Sequence, residues 1–84
     1  MEMTKEMVKS FNELNDAQTP RDQINVVCKM ILIAKRNPTH VYAQTVLELA
    51  GKCYSKYCFN MECLDELNVL FRGTGELRNC IKRI

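Results

Sequence analysis

Apolar residues recur along this chain at intervals of three and four, and no stretch alternates in the manner of a strand. Five segments therefore read as helices. The first spans about residues 4–16. Met7, Val8, Phe11 and Leu14 share a face, Thr4 is placed to cap it, and Asn15-Asp16 ends the pattern. Thr19-Pro20-Arg21-Asp22 is the sharpest start signal. Thr19 offers an oxygen to an orphan N–H, Pro20 occupies the first helical position, and Asp22 puts a negative charge in the first turn. The second helix then runs to about Arg36.

The third helix starts near Pro38 or Thr39 and reaches Tyr57. Tyr42, Val46, Leu49, Ala50, Cys53 and Tyr57 form its stripe. Gly51 sits inside that stripe, where the missing side chain would let a neighbouring helix come close. Asn60 caps a fourth helix whose inner face is Cys63, Leu64, Leu67, Leu70 and Phe71. Gly73 suits the left-handed position that stops a helix, and Thr74 then caps a short fifth one carrying Leu77, Cys80, Ile81 and Ile84. The connections are short. The pattern predicts one domain over residues 1–84, an all-α, antiparallel bundle or short right-handed array of four to five helices.

The second helix carries more apolar surface than one stripe needs. Ile24, Val27, Cys28, Ile31 and Leu32 make one face, and Val26, Met30 and Ile33 make another. A helix apolar on most sides is either central to its bundle or shared with another chain. The surplus predicts an exposed contact patch at Val26, Met30 and Ile33, able to serve a homodimer or a protein partner. Arg36 and His40, beside the Asn37-Pro38 corner, would form its polar rim. The competing reading is that the other helices enclose this one completely.

Composition narrows the class. The 84 residues are 46% hydrophobic and 26% charged, with a net charge of +2, which disfavours both disorder and a phosphate-backbone binder. No apolar run approaches the ~20 residues a bilayer span needs. Met1 to Ser10 mixes charge with apolar residues, unlike a secretory leader. Five cysteines, an odd number, all fall in or beside helical patterns. They read as free thiols in a reducing cytoplasm.

Candidate chemistry is sparse. His40 is the lone histidine, and Cys28 and Cys53, the thiols it would pair with, lie on apolar stripes where cysteine packs as a small hydrophobe. Cys53, Cys58 and Cys63 reach only the edge of zinc-ligand spacing, and the residues between them resemble core. Gly73-Thr74-Gly75 lacks the lysine of a phosphate loop, and Glu62, Asp65 and Glu66 lie on an outer helical face. No catalytic set, metal site or cofactor is expected. A major-groove reading would use His40, Gln44, Thr45, Lys52 and Lys56, but Glu48 interrupts that face. Protein binding remains, with Lys52, Lys56, Arg72, Arg78, Lys82 and Arg83 able to steer acidic partners.

The run from Asn37 to Cys53, with its Thr45-Val46-Leu47-Glu48 and Lys52-Cys53, resembles the third to fourth helices of VHS-type trafficking adaptors. Cys63-Leu64-Asp65-Glu66-Leu67 is similar to the next helix of that family. The likeness implies an adaptor module. The chain departs from it in length, since the VHS superhelix has more helices than this chain can supply. In size, helicity and lack of a catalytic set, the chain also resembles small regulators of large tailed phages, notably the cytoplasmic antiholin of the rapid-lysis III type. That resemblance is one of type and transfers no functional residue. It implies a non-enzymatic regulator that binds a holin's cytosolic segment and delays pore formation.

Overall fold

Side chains set the helix starts. Thr4 Oγ1 accepts from the Met7 N–H at 3.2 Å and Thr19 Oγ1 from the Asp22 N–H at 3.1 Å. Asn60 Oδ1 accepts from the Glu62 N–H at 3.1 Å. In the computed structural model, which describes residues 2–83, these caps open α1 (Lys5–Asp16), α2 (Pro20–Arg36) and a 3-10 turn (Met61–Cys63). The other two helices are α3 (Val41–Tyr57) and α4 (Leu64–Lys82), and no strand occurs among the described residues. The third helix starts later than Pro38 or Thr39, because Asn37 to His40 forms a turn and His40 is the cap.

Four helices form among the described residues, within the expected four to five, because the segments read as a fourth and a fifth helix are one. Gly73 does not stop a helix: α4 runs through Gly73-Thr74-Gly75, and no described glycine has positive φ. The Thr74 hydroxyl donates to the Leu70 carbonyl at 2.7 Å, tying it into the ladder instead of capping a new helix. The reason lies in phase. Leu67, Leu70, Thr74, Leu77 and Ile81 stay on one inner face across the glycines, so burial holds the helix together. Ile84, assigned to the last stripe, lies outside the described residues.

The packing centres on α2, which contacts all three other helices. Ion pairs report the directions. Glu13–Lys29 (3.1 Å) and Glu6–Arg36 (2.6 Å) set α1 antiparallel to α2. Arg21–Glu66 (3.3 Å) and Lys35–Glu76 (3.0 Å) set α4 parallel to α2, with α3 antiparallel between them in the chain. The Arg21 guanidinium also donates to the Glu62 carbonyl at 2.6 Å, joining the starts of α2 and α4. These pairs are exposed, worth about 0–1 kcal/mol each, so they record the register more than they stabilise it.

The expected patch at Val26, Met30 and Ile33 is therefore not a surface. Met30 and Ile33 are 0% and 2% exposed, and Val26 is half-buried. The pairs of Lys29 and Arg36 with α1 flank this face and lay α1 over it. Met7 is fully buried, and Ser10 joins it inside. Ser10 donates to the Met7 carbonyl at 2.6 Å, which leaves its oxygen to accept from the Tyr42 hydroxyl at 2.8 Å. Phe11 meets the Tyr42 ring edge-on, with centroids 5.6 Å apart. The first helix is thus fixed to both α2 and α3. Its own inner stripe is Met7, Ser10, Phe11 and Leu14, and Val8 lies outside it.

Leu32 shows the converse. Grouped with Ile31 from its place in the sequence, it is 60% exposed. Each helical step turns by about 100°, and Leu32 falls on the side of Asn25, Lys29 and Arg36. Leu64 and Phe71, read as inner residues of the fourth helix, are exposed for the same reason.

Candidate protein-binding face on the fourth helix

The fourth helix packs inward along one stripe and leaves apolar residues on both flanks. On the α2 side, Leu32 and Val69 border a groove of about 370 Å³. Long charged side chains surround it: Lys29 is already paired with Glu13, and Lys35 with Glu76. The floor includes Gly73, where an added Cβ would meet Ile31 at 3.4 Å, ordinary contact distance. The Lys35–Glu76 pair spans this groove, and Arg72 on its lining has no ion pair among the described residues.

The α3 side is different. There a groove of about 290 Å³ runs between α3 and α4, with Ala50, Gly51 and Gly75 along it and Tyr54 and Phe71 at its wall. The two rings touch, centroids 5.6 Å apart and planes tilted by 48°. Even so, Phe71 is 67% exposed and Tyr54 37%. Arg78 is the one charged residue on its lining, and it has no ion pair among the described residues. At the start of α4, Phe59, Met61 and Leu64 add further exposed apolar surface.

Both glycines of this groove sit inside helices, where glycine costs about 1 kcal/mol relative to alanine. Gly51 was expected to allow a neighbouring helix to come close. Nothing lies within 4 Å of a Cβ built there, and the same holds for Gly75. Packing within the chain thus explains neither.

Arg36 and His40 are engaged within the fold. Arg36 holds Glu6, as above. His40 Nδ1 accepts from the Tyr42 N–H at 2.9 Å, which places the ring proton on Nε2, 2.8 Å from the Glu2 carbonyl. His40 is the cap of α3 and a tie to the segment before α1. Neither residue borders the groove at Tyr54 and Phe71. Of the residues of the major-groove reading, Gln44, Lys52 and Lys56 are exposed on α3 with Glu48 among them, while His40 is the cap and the Thr45 hydroxyl donates to the Val41 carbonyl at 3.2 Å. Lys56 lies over the Tyr57 ring at 5.2 Å.

All five cysteines are free thiols. Burial pushes Cys28 up to about 11, with the neighbouring Cys53 and Glu66 acting in the same direction. Burial also raises Cys53, against a smaller opposing pull from Lys56. Both thiols are poor nucleophiles at neutral pH. No group of three or more His, Cys, Asp or Glu residues is placed to hold a metal among the described residues.

Phe71 was missed from sequence because it neighbours Leu70, a true core position, and Tyr54 because it follows Cys53, a half-buried member of the α3 stripe. A signal did exist: Phe71 is out of phase with Leu67, Leu70 and Leu77. No described helix is long and apolar enough to cross a membrane. Comparison with known proteins finds no matching family model, no matching curated protein and no matching solved structure.

Proposed function

We propose that this chain is a non-enzymatic regulator that binds another protein through the α3–α4 face and alters that partner's assembly. The observation that carries the reading is the Tyr54–Phe71 pair, two touching aromatic rings left at the surface beside an open groove. Fully burying a phenylalanine side chain gains about 1.5–3 kcal/mol, and this chain leaves most of that gain unused at Phe71. A partner covering the pair recovers it, and aromatic residues are the usual anchors of such contacts. The resemblance in type to the cytoplasmic antiholins supplies a specific form of the proposal: a partner that is a holin, held by its cytosolic segment so that pore formation is delayed.

The test is differential capture from an extract of the native host. The parent chain, Phe71→Ser and Tyr54→Ser are immobilised in parallel, and retained proteins are identified by mass spectrometry. Circular dichroism first verifies that all three melt alike, as expected for surface positions. The proposal expects at least one protein held by the parent and lost from both variants; in the antiholin form that protein is a holin. Equal retention by all three, or none by the parent, overturns it.

A further inference from the structure

The partner's chemistry is also legible at this site, given the protein-binding reading above. We propose that the α3–α4 groove takes an acidic amphipathic helix from the partner protein.

Shape argues for a helix. Leu64, Phe71 and Arg78 follow one another at seven-residue intervals on one side of α4, a stripe of about 21 Å at 1.5 Å per residue. A helix of about four turns matches that length. No strand edge is present among the described residues to recruit an extended peptide, whereas a furrow between two antiparallel helices seats a third. The aromatic wall supplies an anchor for an apolar side chain at Tyr54 and Phe71. Beside that wall the groove keeps open space at Gly51 and Gly75, so the incoming helix can lie close to both backbones.

Charge argues for acid. Arg78 borders the groove, and Lys82 follows one turn later on the same side of α4. Neither has an ion pair among the described residues. No carboxylate lines the groove, and Glu76, the nearest in sequence to Arg78, faces α2 and holds Lys35. The opposite groove differs in its acid: Arg72 on its lining also has no ion pair among the described residues, but Glu76 lines that groove, whereas no carboxylate lines this one. An acidic helix would meet Arg78 and Lys82 here, and a basic one would be repelled.

The test uses three synthetic helical peptides of about 16 residues, alike in their leucine and phenylalanine positions, with Glu, Gln or Lys filling the polar face. Each is titrated into the isotope-labelled full chain and followed by backbone amide NMR. The acidic peptide should shift the amides of Gly51, Tyr54, Phe71, Gly75 and Arg78, and bind at least tenfold more tightly than the basic one. Arg78→Glu should reverse that preference. Gly75→Leu, whose Cβ would meet no atom within 4 Å, should keep the fold and block binding. Equal binding of acidic and basic peptides, shifts confined to the α2–α4 groove, or no shifts at all would overturn the inference. If that happens while host capture still depends on Phe71, the partner chemistry falls and the protein-binding reading stands. If capture ignores Phe71 and Tyr54, the reading itself falls.

Discussion

Met30→Glu separates a buried second helix from one that offers its apolar face to solvent. Met30 is fully enclosed, and α1 lies over its side of α2. Removing a buried methionine side chain costs about 2–5 kcal/mol. The incoming carboxyl must either enter charged, at several kcal/mol, or take up a proton. For a carboxyl whose free value is near 4.3, protonation at neutral pH costs about 4 kcal/mol. The combined penalty approaches or exceeds the 5–15 kcal/mol that holds a domain folded. The variant should therefore be largely unfolded at pH 7. The sign with pH follows from the buried carboxyl, whose folded value lies above its unfolded one. The ionisation part of the penalty should shrink as the pH falls, be gone below about 4.3, and return on the way up, while the cost of the lost methionine contacts stays at every pH. Urea and thermal melts by circular dichroism at pH 7 and pH 4.5 measure this. Met30→Leu conserves volume and should cost less than about 1.5 kcal/mol. Leu32→Glu, on the exposed side of the same helix, should stay within about 0.5 kcal/mol of the parent. A Met30→Glu protein that melts with the parent, or a Leu32→Glu protein that collapses equally, would refute the placement of α1.

Three further outcomes follow from individual contacts. Gly75→Ala should stabilise the chain by about 0.5–1 kcal/mol, because its Cβ enters open space within a helix; a urea midpoint that falls would contradict this. Tyr42→Phe should cost about 0.5–1.5 kcal/mol by deleting the hydroxyl that joins α1 to α3 through Ser10. Hydrogen exchange should show its largest loss of protection in α1, and uniform loss would argue against that tie. Stability should decline between pH 9 and about 11, because Cys28 keeps its proton in the folded chain after the unfolded thiol, at 9.0, has lost it. Cys28→Ala should flatten that part of the profile, and an unchanged slope would remove Cys28 as its cause.

The sequence by itself determined the helical class, the boundaries of α2 and most of the caps. These depend on neighbours in the chain: Thr19 and Pro20 act within one turn, and a stripe such as Tyr42, Val46 and Ala50 needs only helical spacing. It also held the cue that α4 continues past Gly73, since the inner positions keep their phase through the glycines. A local stop rule outweighed that cue because glycine's effect is local and the reward for burial is not.

Only the tertiary structure decided which apolar residues lie inside. Val26, Met30 and Ile33 look surplus when α2 is read alone; with α1 packed on α2, Met30 and Ile33 are core and Val26 is half-buried against it. Leu32 and Phe71 look like core when read beside Ile31 and Leu70, and they stay mostly exposed because they border open grooves instead of a packed helix face. Burial is a property of two elements together, so one helix's pattern counts its oily residues without saying which of them find a partner in the same chain.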